Sequence, residues 1–321
     1  MDEYARTGGE PIVQPEQQPS DTARAIARCV LYEGYTVGLY GRNTHKHQAR
    51  RTAGGVYPAA YTSAGHPDNP CLMRTECLLE GDGAVDLTIS VRFLHVVDRR
   101  LLKCDHEDFV DTLTVRGVGY VAGQEARERE IAIHLPAVDF HDDLRHELPV
   151  VIEPATTREP LADDAGSLAG WIIRSWESIE ASIDARVVPV ASGVARICVA
   201  IRNQSIWGGG SRDVTQRRTL VAAHTILHAP AGRFVSLNDP PDSLAKDVAA
   251  CRNVGTWPVL VGTPPARDTM LSSPIIFYDY PHVPTGGLDP GTRAFSRDAS
   301  NHPTPPTADA HIGDSASDYA G

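Results

Sequence analysis

The amino-acid sequence predicts a mainly β protein: a β-rich α+β chain of packed antiparallel sheets, sandwich-like, with one or two short helices. Three observations carry that reading. Several segments alternate apolar and polar residues at period two, the pattern of a half-buried strand. Such segments outnumber helical ones and do not alternate with them, which argues against a doubly wound α/β sheet. Turn signals, including Asp82-Gly83, Ala229-Pro-Ala-Gly, Gly208-Gly-Gly-Ser and Gly262-Thr-Pro-Pro, punctuate the segments.

In chain order, residues 22–31 read as a short helix. Leu87, Ile89, Val91 and Phe93 share one face, with Thr88, Ser90 and Arg92 on the other, so 87–93 is the clearest strand. Ile131, Ile133 and Leu135 repeat the pattern, as do Ile197, Val199 and Ile201. Further β-branched runs are Val187–Val190, Thr219–Leu227, Trp257–Val261 and Ile275–Tyr278. The best helix lies in Pro240–Arg252: prolines precede its first turn, Leu244, Val248 and Cys251 fall on one face, and Gly255 follows it. No internal repeat of fixed period is found.

The 321 residues carry 30 Lys+Arg against 41 Asp+Glu, a net charge of −11, with 41% apolar and 6% aromatic residues. That length can bury a large core in one or two domains. No run approaches the ~20 apolar residues of a membrane span. The acidic N-terminus lacks the apolar stretch of a secretory signal, so a cytoplasmic location is expected. The acidic balance argues against general nucleic-acid binding. The charge is uneven: residues 1–22 carry −4, residues 284–321 carry −3, and residues 23–283 only −4. Both ends are rich in Pro, Gly, Ser, Thr and Asp and poor in large apolar residues, so they read as disordered tails. Residues 23–283 then form the globular body, as one domain or two sub-domains. Six cysteines with no C-x-x-C pair point to reduced thiols rather than a zinc site. No cofactor is predicted.

The 13 histidines are the first candidates for chemistry. His224 and His228 sit in a segment that reads as a strand, where an i, i+4 pair lies ~13 Å apart, too far to share an ion. His45 and His47 would lie ~6.6 Å apart on a strand face, within reach of one metal given a third ligand. Lys46, Arg50 and Arg51 would repel a cation there, so Arg50 and Arg51 fit a phosphate or carboxylate better. His141–His146 and Cys104–Asp108 read as charged surface loops. Gly117-x-Gly119-x-x-x-Gly123 departs from the dinucleotide fingerprint and reads as a strand-to-strand turn. Ser243-x-x-Lys246 has the spacing of a Ser/Lys nucleophile pair but lacks its companion elements. Cys251, on an apolar helix face, reads as a buried, inert thiol. The remaining candidate is the segment where the Ile275–Phe277 strand would deliver Tyr278, Asp279 and His282 just past its end, as acid/base or binding groups.

Several long mixed blocks stand out: Val30–Tyr35, Gly54–Pro58, Arg74–Leu78, Cys251–Pro258 and Leu271–Pro281. Together, over roughly residues 25–283, the chain resembles a family of actinobacterial proteins whose genes lie near nickel–iron hydrogenase structural and maturation genes. Relatives carry a more aromatic and basic segment around residues 36–53 and continue past the Tyr278–Pro281 block with an acidic segment. The present C-terminal stretch therefore reads as a shortened version of a longer design. The resemblance implies an accessory part in assembling or serving a hydrogenase, with a hydrogenase subunit or maturation factor as partner; the lack of a membrane-spanning run adds the expectation of no membrane partner. The first expectation is thus a non-catalytic accessory or assembly protein acting through protein–protein contacts. The alternative is an enzyme using Tyr278, Asp279 and His282; a metal-delivery module based on His45, His47 and the cysteines is a third.

Overall fold

The computed structural model describes residues 19–31, 54–104, 108–275 and 278–281. By contacts the chain divides into residues 1–283 and 284–321; the architecture below is that of the first unit. Its helices are α1 (Pro19–Leu31), α2 (Ala59–Ser63), α3 (Arg212–Gln216) and α4 (Ala245–Ala249). Its strands are β1 (Leu72–Glu80), β2 (Val85–Lys103), β3 (Asp108–Val110), β4 (Thr112–Val115), β5 (Val118–Val121), β6 (Gly123–Val138), β7 (Leu144–Ile152) and β8 (Ala155–Ala162). They continue with β9 (Leu168–Trp176), β10 (Ile179–Ala191), β11 (Val194–Asn203), β12 (Val221–His228), β13 (Arg233–Phe234), β14 (Trp257–Leu260) and β15 (Thr269–Ser273).

The protein is mostly β, built of antiparallel sheets packed face to face. One sheet runs β13-β1-β11-β10-β7; the other runs β14-β15-β12-β2-β9-β8, with β6 and β3 also paired to β2. Period-two alternation decides what each strand presents to the interior. Leu87, Ile89, Val91 and Phe93 of β2, with Ile133 and Leu135 of β6, meet Cys77 and Leu79 of β1, Ile197 and Val199 of β11, and Ile183 of β10 in one core. Each fully buried side chain of this size contributes about 1.5–3 kcal/mol. A second apolar layer lies on the other face of the larger sheet. There Ala23, Ile26, Ala27 and Leu31 of α1 cover Leu94, Ile226, Val259 and Leu271. A third, smaller cluster (Leu101, Leu113, Val115, Leu161, Ile172) joins the far end of β2 to the β4–β5 hairpin and to β8 and β9. Gly170 permits that approach, since a Cβ there would sit 2.6 Å from Leu113 and 2.7 Å from the Leu102 carbonyl oxygen. Two strands that each end a sheet path, β7 and β8, carry Pro149 and Pro160.

Under α1 lies a buried polar row. Arg92 is 2% exposed and pairs with Glu128 and Glu130 of β6, the latter at 3.2 Å. From above, Arg24 of α1 reaches Glu130 at 2.8 Å and Arg28 reaches Glu128 at 3.3 Å. Burial pushes the Glu130 carboxyl up, but Arg24 and Arg92 outweigh it and hold it below its ordinary value. Opposite Arg92 on β12 stands His224, fully buried, its Nδ1 3.0 Å from the Ala222 carbonyl oxygen. A shift of register there leaves Ala222 at φ +52°, and the imidazole contact helps hold that bulge.

Residues of three mixed blocks, Arg74–Leu78, Cys251–Pro258 and Leu271–Pro281, meet along the edge of β1 that continues from its pairing with β13. Asn253 behaves as a strand residue made from a side chain: its Oδ1 accepts the Glu76 N–H at 2.8 Å and its Nδ2 donates to the Glu76 carbonyl at 3.1 Å. Arg74 and Val254 exchange backbone hydrogen bonds beside it. A chain of buried hydroxyls, Thr75–Ser272–Thr256, with both contacts at 2.8 Å, ties the two sheets together. Gly54, at φ +72°, lies where a Cβ would strike Pro274 at 2.6 Å.

The structure corrects some element boundaries. The strand expected over Ile275–Phe277 is β15, Thr269–Ser273, because Pro274 has no N–H to extend the ladder. Ile275 sits in a bend, and residues 276 and 277 lie outside the described residues. The Pro240–Arg252 helix shortens to α4, although Leu244 and Val248 are buried as anticipated. Leu144–His146, expected in a loop, opens β7.

Two outcomes follow. Asn253→Ala removes both bonds and strands the Glu76 N–H; a loss of about 2–3 kcal/mol in urea unfolding is expected, and an unchanged midpoint would refute the strand-like role. Burial is the larger cause and nearby arginine the smaller in holding both His95 and His224 to a pKa of about 4. The unfolded chain, with ordinary imidazoles, takes up protons first as pH falls below ~6.5. Stability should therefore decline between pH ~6.5 and ~4, by roughly 3 kcal/mol per histidine. Urea midpoints across that range measure it, and His224→Gln should flatten the slope.

Candidate functional site

The segment singled out past the last strand is placed by three separate anchors. The Asp279 carboxylate accepts the Leu260 N–H at 2.8 Å and the Ser236 hydroxyl at 2.5 Å. The same Ser236 oxygen accepts the N–H groups of Asn238 and Asp239, at 3.1 and 2.9 Å. Tyr280 donates its N–H to Leu260 at 2.7 Å and its hydroxyl to the Ala266 carbonyl at 2.9 Å. Tyr278 is 60% exposed. Asp279 thus pins the chain to β14 and the Ser236 turn, while Tyr278 faces solvent. His282, and likewise His45, His47, Arg50 and Arg51, lie outside the described residues.

His224 and His228 are in a strand, as the sequence indicated, with His228 Nδ1 3.0 Å from the Thr269 hydroxyl. Burial raises the thiol pKa of Cys77, of Cys198 (to about 11) and of Cys251, so these sulfurs stay protonated at neutral pH. Among the described residues no group of three or more His, Cys, Asp or Glu side chains is placed to hold a metal ion.

The structure draws attention elsewhere, to the middle of β2. On one edge β2 pairs with β12 up to Leu94 and with β9 from Asp98 onward. Residues 95–97 fall between the two partners, and the larger sheet splits there. An open cleft of about 460 Å³ occupies the split, lined by Val96, Asp98, Ser175, Trp176, Glu177 and Arg217. A second of about 200 Å³ shares Glu177 and Arg217 and adds Trp207 and Arg218. The lining charges orient one another: Arg217 pairs with Asp98 at 3.0 Å, and Arg218 pairs with Glu177 at 3.1 Å while donating to the Ile206 carbonyl at 2.6 Å.

Trp176 forms one wall, its indole N–H donating to the Glu153 carbonyl at 3.1 Å. Over its ring lie the guanidinium groups of Arg127 and Arg129, 5.2 and 5.3 Å from the centroid. Both arginines belong to β6, on the inward line of Ile131, Ile133 and Leu135, opposite His95 and Phe93 of β2. Beyond Ile131 the inward face therefore changes from apolar to cationic. His95 is fully buried, its ring near the backbone of Glu177 and Arg217 and its Nδ1 3.5 Å from the Arg129 guanidinium. Burial first, and Arg129 second, keep that imidazole neutral at pH 7, with a pKa of about 4. The arrangement suits recognition of a polar group: fixed donors, an aromatic wall and an open approach.

Sequence reasoning passed over Arg127, Arg129 and Trp176. A signal was present in Arg127-Glu128-Arg129-Glu130, where period-two alternation segregates arginines from glutamates without any apolar residue.

No family model matches the chain, and no curated protein matches it. A search of solved structures returned the type III secretion injectisome secretin InvG of Salmonella, in its open-gate state, at 12% identity and a TM-score of 0.10. That alignment covers 67% of this chain and 61% of the secretin chain, and a score so low carries no fold relationship.

The anchoring of Asp279 makes a prediction. Asp279→Ala, which strands the Leu260 N–H and the Ser236 hydroxyl, should cost about 2–3 kcal/mol of stability. Equilibrium unfolding measures it; a fully stable variant would reopen a role other than anchoring.

Proposed function

We propose that this protein is a non-catalytic accessory protein that works in the cytoplasm by holding a protein partner. One observation carries the reading: the part of the fold built on the second half of β2 presents large apolar side chains to solvent. Phe109 of β3, Val118 and Val121 of β5, and Leu168 at the start of β9 are each 45–53% exposed. The turns that carry Val118 and Leu168 are joined, since Arg116 donates twice to the Asp163 carbonyl, at 3.0 and 2.6 Å. This part of the fold has its own small apolar cluster, which keeps the turns in place. Exposed apolar side chains on a fixed scaffold are the raw material of a protein interface.

The resemblance to proteins encoded beside hydrogenase genes supports a hydrogenase subunit or maturation factor as the partner. The test is affinity capture of the full chain from cells that make such a hydrogenase. Wild type should retain a hydrogenase component, and Val118→Asp/Leu168→Asp should lose it. Surface changes of this kind cost within about 0.5 kcal/mol, so the thermal midpoint should barely move. Capture of no such component, or equal capture by the double variant, would refute the reading.

A further inference from the structure

Along β6, carboxylates and arginines alternate, and the carboxylates are already taken. Glu125 pairs with Arg99 at 3.3 Å and with Arg174; Glu128 pairs with Arg28 and Arg92; Glu130 pairs with Arg24 and Arg92. The two arginines of the same strand, Arg127 and Arg129, are in none of these pairs, and among the described residues no carboxylate stands within 4 Å of either. They project to the same side of the strand, two residues apart, so their backbone origins are ~6.6 Å from each other. Both rest on Trp176, with guanidinium carbons 5.2 and 5.3 Å from its centroid.

Two like charges held side by side repel. Burial chiefly, and Arg127 secondly, lower the Arg129 pKa. The Arg129 Nε is buried without a hydrogen-bond partner. His95, neutral at pH 7, offers no compensating charge, and Glu177 and Asp98, which line the cleft beside Trp176, are engaged by Arg218 and Arg217. A pair of planar forks held on an aromatic ring is a receptor for a group with several acceptor oxygens and a negative charge, which would take donated hydrogen bonds from both arginines and cancel their repulsion. An aromatic wall also lowers the entropy lost when arginine side chains are fixed, because the stacking already holds them.

We propose that Arg127 and Arg129, backed by Trp176, form an oxyanion-binding site that takes a carboxylate or phosphate group. The proposal is independent of the apolar surface above, which lies on β3, β5 and β9 and not on β6. The group has two sources, a free ion or an acidic side chain of a polypeptide, and the experiment separates them. Isothermal titration of the full chain is run with inorganic phosphate in one arm and with a glutamate-rich peptide in the other, at low and at physiological ionic strength. Saturable binding in either arm, weakened at least tenfold in Arg127→Gln/Arg129→Gln and reduced at higher salt, supports the site. Phosphate alone identifies a small-ion site; the peptide alone identifies a site for an acidic segment. Thermal unfolding and near-ultraviolet circular dichroism establish that the double variant is folded. Should it not fold, Arg127→Lys/Arg129→Lys keeps the charge but loses the bidentate fork, and a tenfold loss is again expected. No binding in either arm, or equal affinity in the folded variants, overturns the proposal.

Discussion

Nineteen consecutive residues of β2 run in extended conformation, and each buried N–H and C=O along it needs a partner. No single neighbouring strand is long enough to supply them all on one edge. β12 serves residues 88–94 and β9 serves 98–103, while β6 and then β3 serve the opposite edge. That one requirement organises the rest. It fixes which strands flank the sandwich core, carries the smaller apolar cluster beyond it, and leaves the split at residues 95–97 where one partner ends before the next begins. The clefts, the buried His95 and the Arg127–Arg129–Trp176 stack all lie at this split.

The face of β2 away from the core has a different logic. Arg92 is buried beneath α1, and its charge is matched by Glu128 and Glu130 rather than by solvent. Removing one partner of such a buried group costs far more than the pair contributes. The two glutamates also receive Arg24 and Arg28, so the pairing that makes Arg92 tolerable is the one that sets the position of α1. The apolar stripe of the helix supplies adhesion, and the charges supply register.

What the sequence showed follows from where water is excluded. Leu87–Phe93, Ile131–Leu135 and Ile197–Ile201 each turn an apolar face to the core and were legible from periodicity alone, although Ser90 and Arg92 on the other face of β2 are buried too. β8 is exposed along most of its length, so no face selects apolar residues and no periodic signal appears; its place is set by hydrogen bonding to β9. The Ile275–Phe277 misplacement has a related cause. β15 buries Ser272 and Ser273 completely, and Ser272 is satisfied by Thr75 and Thr256, so a polar pair sits in the interior while the more apolar residues after it carry the strand-like pattern. The long mixed blocks were conspicuous as text, yet their residues serve the seam at β1: Asn253, Thr256 and Ser272 bond to other parts of the chain. The arginine stack was hidden for the opposite reason, since Arg127 and Arg129 are brought to Trp176 only by folding.

Pro149 and Pro160, one in each of the outer strands β7 and β8, have a consequence for how the molecule meets others of its kind. Each lacks the N–H that an incoming strand would need, so neither rim offers an unbroken template for backbone pairing. At these two strands growth of a sheet from copy to copy is interrupted, and contact there is left to side chains, whose shape and charge can discriminate where backbone cannot.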